Sequence, residues 1–298
     1  MSTVRPLNPA ATVVVLVLCL SWALQQIAIK LALPEVGALT QGAIRTGAAS
    51  LLVGVYVLWR KPRWMPGIRI LGIVSGLLFG TEFMLLYRAL EYTDAARTTM
   101  FLYTAPFVVA IGSHFIFAAE KLDIKSWIGI GIAFAGVVLA LNPAAMTNEL
   151  GFLGDTMALA AAIFWGFTTL LIKMTRLREC PASQVLLYQL IVCTAIFAVS
   201  ARISGDELVL PLAAMTVAAL VYQSVWVAAI SYGIWFVLIS RFSVTTVSVV
   251  TFVTPLFGVA LGVLILGERA RIELLFGAAA VALGILLVSL PRKSTVTS

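Results

Sequence analysis

Charge is scarce in this chain. Of 298 residues only 11% are Asp, Glu, Lys or Arg, whereas a soluble domain carries about a quarter. That shortage excludes an ordinary soluble globule. Histidine is scarcer still, with His114 alone. There is no H-E-x-x-H pair and there are no paired aspartates in the apolar runs, so an intramembrane enzyme would have no catalytic constellation. Cys19, Cys180 and Cys193 are odd in number and lack metal spacing, so no disulfide, metal or cofactor is expected. A phosphate-binding G-x-x-x-x-G-K-[ST] loop is absent, which argues against direct drive by ATP. The apolar runs lack the alternation of a β-barrel. Neither rings of charge nor a filter sequence marks a channel.

What is abundant is apolar. Hydrophobic residues make up 61% of the chain, gathered in runs near the roughly 20 residues that a bilayer demands. Ten such runs are read, at 11–31, 38–59, 68–89, 94–118, 126–141, 151–174, 182–202, 212–239, 243–265 and 272–290. The fold class predicted is an all-α polytopic membrane protein with ten transmembrane helices. The first run holds Trp22, Gln25 and Gln26 and no A-x-A site, so it reads as a retained helix rather than a signal peptide. The net charge of +7 does not indicate a nucleic-acid partner, because no basic stripe interleaves with aromatics. Most cations sit in short loops. Their bias, led by Arg60-Lys61-Pro62-Arg63, predicts both termini in the cytoplasm.

The same unit is written twice. Trp22 and Lys30 return 143 residues later as Trp165 and Lys173, and Thr40-Gln41 returns as Ser183-Gln184. Pro106 answers Pro255, Glu120-Lys121 answers Glu268-Arg269, and Gly129 and Gly136 answer Gly277 and Gly284. Two units follow, 11–141 and 151–290, joined by residues 142–150. Five helices per unit is an odd number, so the second copy enters the membrane inverted. Inverted repeats enclosing a site near the midplane are a secondary-transporter architecture.

The stretch Tyr87-Arg88-Ala89-Leu90-Glu91-Tyr92-Thr93, continuing through Phe101-Leu102-Tyr103-Thr104-Ala105-Pro106 to Glu120-Lys121-Leu122, resembles the EamA repeat of the drug/metabolite transporter superfamily. Thr254-Pro255-Leu256-Phe257 and Leu266-Gly267-Glu268-Arg269 carry the resemblance into the second half. It implies ten helices, two EamA domains and transport of metabolites or amino acids, often export, without fixing a substrate.

The candidate site begins with Arg45 and Glu82. A charge at the bilayer centre costs at least about 2.5–3.5 kcal/mol, so it survives facing a cavity or a partner. Arg45 on the second run and Glu82 on the third reach similar depths, which leaves an ion pair open. Arg45 suits a substrate carboxylate. Glu82 suits an amine or a proton and is the candidate for proton coupling. Trp22 and Trp165 fall mid-span, away from the interfacial belt, and read either as a stacking wall for solute or as packing between repeats. Tyr103 and Gln189 are the best neutral hydrogen-bonding candidates among several that include Gln26, Gln41 and Gln223.

Pro106 and Pro255 are expected to kink helices four and nine. Glu120-Lys121 and Glu268-Arg269 read as ion pairs at helix ends, and His114 as a packed residue. The four matched glycines let helices five and ten either pack on one another or form the surface of a homodimer. The expected function is an inner-membrane secondary transporter moving an amino acid or similar zwitterion, with export favoured. The alternative is a proton-coupled importer of another small organic metabolite. The expected partners are a small-molecule solute and the lipid bilayer.

Overall fold

The computed structural model describes residues 8–118, 121–141, 150–242, 250–269 and 271–289, and these are helical almost throughout. The helices are α1 (Pro9–Ala32), α2 (Ala38–Arg60), α3 (Arg69–Tyr92), α4 (Ala95–Leu102), α5 (Ala105–Ile116) and α6 (Ile124–Ala140). After the connection come α7 (Gly151–Met174), α8 (Ala182–Ser204), α9 (Ala214–Val221), a π-helix at Tyr222–Ser231 and α10 (Tyr232–Arg241). The chain closes with α11 (Thr254–Leu266) and α12 (Ile272–Ser289). Counting α4–α5 and α9 through the π-helix as continuous rods, seven helices are long and apolar enough to cross a membrane. Three shorter apolar helices, α6, α11 and α12, accompany them.

Local chemistry sets the boundaries. Asn8 caps α1 by accepting the Ala11 amide at 2.8 Å, with Pro9 in the first turn, where a missing N–H costs nothing. Asp123 caps α6 through Ser126 N–H at 2.8 Å. Gly205 ends α8 in the left-handed region at φ 65°, a conformation that glycine enters without a Cβ penalty. Large apolar side chains such as Leu51, Leu58, Ile70, Phe115 and Leu264 stand exposed on the outside of the bundle. In a membrane protein that surface is solvated by lipid.

The fourth and ninth apolar runs depart from the sequence reading. Pro106 does not bend a continuous helix. The helix stops at Leu102, turns through Tyr103 and Thr104, and restarts with Pro106 in the first turn of α5. Pro255 likewise opens α11 after a short 3₁₀ turn at Thr251–Val253. A proline ring clashes with the preceding turn but is pre-set for the first turn of a helix, so breaking and restarting satisfies it. Residues 243–249, the start of the expected ninth run, lie outside the described residues, as does Glu120.

The helices pair in a pattern that maps onto itself when the halves are exchanged. α6 lies along α12, α2 along α8, and α4 against α11. α3 packs on α7 and α8, as the segment from α9 through the π-helix packs on α1 and α2. α1 packs on α11, as α7 packs on α5. The α6–α12 contact is made by the matched glycines. A Cβ at Gly136 would stand 2.9 Å from the Gly277 carbonyl oxygen, and one at Gly284 2.6 Å from that of Gly129. The small-residue surface considered for a second copy is therefore covered by the other half of the same chain.

The end of the bundle carrying the α1–α2 loop is tied across the halves. Asp206 accepts the Leu39 and Thr40 amides at 2.8 and 3.0 Å and so caps α2. Glu268 accepts the Ala95 and Ala96 amides at 2.7 and 3.0 Å and caps α4. Glu268 thus bonds to a helix N-terminus, where backbone donors are free, rather than to the adjacent Arg269. At the opposite end Gln184 exchanges two 2.9 Å hydrogen bonds with the Met65 backbone. There His114 Nδ1 accepts the Leu122 amide at 2.8 Å, a structural role.

Candidate functional site

Arg45 and Glu82 lie inside the bundle, 0% and 5% exposed. Gly42 lets α2 press close to α8, because a Cβ there would run into the Phe197 ring. Arg45, one turn further on, is drawn into the interior. Its guanidinium carbon lies 4.2 Å from the centre of the Phe83 ring, and Nη2 donates to the Tyr232 hydroxyl at 3.3 Å. Its Nε and Nη1 have no partner, and neither does Glu82 Oε2. No ion pair joins Arg45 to Glu82 among the described residues. Two ionisable groups of opposite type are buried in one region, and each keeps bonding capacity unused. Buried polar groups normally find partners, so these atoms mark a place for a ligand or for water.

Around the pair the halves are stitched by polar contacts. Tyr87 donates to Gln223 Oε1 at 2.6 Å, Gln223 donates to Gln41 Oε1 at 3.3 Å, and Gln41 donates to the Val36 carbonyl at 2.9 Å. The π-helix presents Gln223 and Ser231 from the second half. Trp22 donates its indole N–H to Ser231 Oγ at 3.0 Å and meets Trp235 edge-on, with ring centres 5.3 Å apart. Gln26, one turn from Trp22 on the same α1 face, is buried with an unpartnered Oε1. π-helical turns are rare and recur at functional sites.

The other sequence candidates fall in two places. Tyr103 and Trp165 meet edge-on, with ring centres 5.5 Å apart and planes at 89°. Tyr103 sits at the α4–α5 break and neighbours Tyr232, so this cluster adjoins Arg45. Gln189 donates to Ser75 Oγ at 2.9 Å, a bond between α8 and α3 that occupies its amide in helix packing. Two surface hollows, about 270 and 450 Å³, include neither Arg45 nor Glu82. The charged pair is enclosed by protein in this conformation.

The EamA-like transporter family matches residues 10–142 and 152–290, nearly the whole chain and in two copies. The chain belongs to that family. A WAT1-related chloroplastic protein of Arabidopsis thaliana is 27% identical over 91% of this chain and 67% of its own length. A probable amino-acid metabolite efflux pump of Salmonella typhimurium is 24% identical, covering 89% of each chain. Its Escherichia coli namesake is 24% identical over 86% of this chain and 87% of its own. A solved crystal structure at 19% identity shares the fold, with a TM-score of 0.65 over 93% of this chain and 95% of the other. This EamA-like chain is therefore a multi-pass membrane transporter.

Sequence reasoning missed two features of the EamA-like bundle. Tyr232, the hydrogen-bond partner of Arg45, stands in the repeat position matching Glu82. That correspondence was its one signal. Arg97, which its sequence position does not set apart from the loop cations, is 1% exposed and grips Asp155, 0% exposed, through Nε at 3.1 Å to both carboxylate oxygens. Arg97 Nη2 also bonds Asp155 and donates to the Ala140 carbonyl at 2.7 Å, while Thr93 donates to Asp155 at 2.7 Å.

Proposed function

We propose that this EamA-like transporter moves a small zwitterionic metabolite, an amino acid or close analogue, out across the inner membrane by alternating access. In this reading ten spans form two oppositely oriented repeats, 11–141 and 151–290, with both termini cytoplasmic. The exchange symmetry of the helix pairing and the doubled family match support the two-repeat arrangement. The bias of Lys and Arg supports the orientation.

The observation that carries the reading is the buried, unpaired state of Arg45 and Glu82. The free Nη1 of Arg45, beside the Nη2 that holds Tyr232, can donate to a carboxylate in the end-on, two-bond pairing of a guanidinium, and the free Nε–H on the far edge can donate to a further acceptor. The free Oε2 of Glu82 is an acceptor for an ammonium, or for a proton when the solute is absent. A zwitterion brings both complements at once and neutralises the site as it binds. Phe83 and Tyr232 contact Arg45, and in this reading Trp22 and Trp165 complete an aromatic wall for the solute's side chain. The name of the Salmonella relative is consistent with that substrate class and with export.

Counterflow of radiolabelled amino acids in proteoliposomes tests the reading. Exchange by the native protein that is lost in Arg45→Ala is the expected result. Absence of exchange for every zwitterion, with exchange of a metabolite lacking either charge, would favour the proton-coupled importer. Single-channel currents in a planar bilayer would favour a pore.

A further inference from the structure

The break at Tyr103 and the break before Thr254 lie at matching positions in the two halves, on helices that pack together. α4 and α11 approach so closely that a Cβ on Gly258 would strike Thr99. Thr254 is 0% exposed and its Oγ1 has no partner. Other buried threonines solve this problem within their own helix. Thr46 donates to the Gly42 carbonyl at 2.7 Å, Thr99 to Ala95 at 2.8 Å and Thr168 to Phe164 at 2.9 Å, each four residues back. The 3₁₀ turn at Thr251–Val253 interrupts that ladder ahead of Thr254, so its hydroxyl is left over. Its polar neighbours are the Cys19 thiol and the Tyr103 hydroxyl. Tyr103 is 3% exposed. Tyr232 lies beside Tyr103 and also receives the bond from Arg45. A line of polar groups therefore runs from Arg45 through Tyr232 to Tyr103 and Thr254.

We propose that Tyr103 and Thr254 form a second subsite, at the two helix breaks, for a neutral hydroxyl or amide on the solute's side chain. This rests on the zwitterion reading and narrows it. With the carboxylate on Arg45, the side chain extends past Tyr232 and ends between the two hydroxyls. A hydroxyl or amide there both donates and accepts, which two facing hydroxyls require. A purely apolar side chain of the same size leaves both unmet, and a site built to bond a polar group discriminates strongly against such an analogue.

The test is counterflow in proteoliposomes with matched pairs, threonine against valine and glutamine against methionine, using native protein, Thr254→Val and Tyr103→Phe. The native protein should prefer the polar member of each pair by about ten-fold or more. Thr254→Val should bring the threonine-to-valine ratio to about one by depressing threonine exchange. Its melting temperature should equal or exceed the native value, since it removes an unpartnered hydroxyl from the interior. A native ratio near one, or a ratio unchanged in Thr254→Val, overturns the subsite while leaving the zwitterion reading intact. Failure of the native protein to exchange any of the four overturns both.

Discussion

Arg45 rests 4.2 Å over the ring of Phe83 and binds the Tyr232 hydroxyl, yet makes no ion pair with Glu82. A cation over an aromatic face gains about 0.5–2 kcal/mol, less than a desolvated guanidinium forgoes when two of its nitrogens stay unbonded. The arrangement is stable enough to exist and incomplete enough to attract an anion. Replacing Arg45 with Ala should weaken solute binding about 10- to 100-fold, the range of one or two charge-assisted hydrogen bonds. Arg45→Lys should not restore it, because an ammonium lacks the fork. Solute-induced thermal stabilisation measures both, and native-like binding by the Lys variant would count against bidentate recognition.

Glu82 faces the same space with one oxygen free. If it carries the proton of the cycle, Glu82→Gln should flatten the dependence of flux on pH and on an imposed proton gradient. Insertion and folding should be retained, since the amide is isosteric and relieves a buried charge. A Gln variant whose flux still follows the proton gradient would remove Glu82 from that role.

Much of this was legible in the chain. Run length gave the helices, and the 143-residue offset that returns Trp22 as Trp165 gave the repeat. Arg45 and Glu82 stood out because charge inside an apolar run is costly. Other features were hidden for physical reasons. Arg97 sits in the first turn of α4 and Asp155 just beyond the first turn of α7, near helix ends where charges usually meet water and headgroups. Only the packing of α4, α6 and α7 turns both inward, and residues 58 apart in sequence leave no periodic trace. The π-helix over Tyr222–Ser231 has the composition of an ordinary span. The prolines signalled distortion, but not that each would begin a new helix.

The Arg97–Asp155 pair makes a stability prediction. Asp155→Ala leaves a guanidinium buried without its counter-charge, which costs about 3–5 kcal/mol. Replacing both residues with apolar side chains of similar size, Arg97→Met with Asp155→Leu, should recover most of that loss, because neither charge then needs desolvation. Melting temperatures of the three variants in detergent decide it. A double variant as unstable as the single one would show that the Thr93 and Ala140 bonds carry the effect.

The glycine contacts predict contrasting effects within one helix. A side chain at Gly136 meets Ala280 and the Gly277 backbone, whereas one at Gly131 meets nothing within 4 Å. Gly136→Val should force α6 and α12 apart at a cost of about 1–3 kcal/mol. Gly131→Ala should be neutral or stabilising by about 0.5–1 kcal/mol, since Ala loses less backbone entropy on entering a helix. Equal effects of the two on melting temperature would contradict the α6–α12 packing.

The cap that Glu268 places on α4 predicts a pH effect of definite sign. Burial pushes its carboxyl above the ordinary 4.5, and the Ala96 and Ala95 amides only partly pull it back. A carboxyl whose folded pKa exceeds its unfolded value binds its proton more tightly in the native state. Its contribution to stability is therefore complete below the unfolded value and declines as pH rises through the folded one. Glu268→Gln cannot titrate there. The melting temperature of the native protein minus that of Glu268→Gln should accordingly be largest at acid pH, below the ordinary carboxylate value, and shrink as pH rises through the raised folded value. A gap that widens with pH would mean that the ionised carboxylate is the better cap, with the two amide bonds outweighing burial.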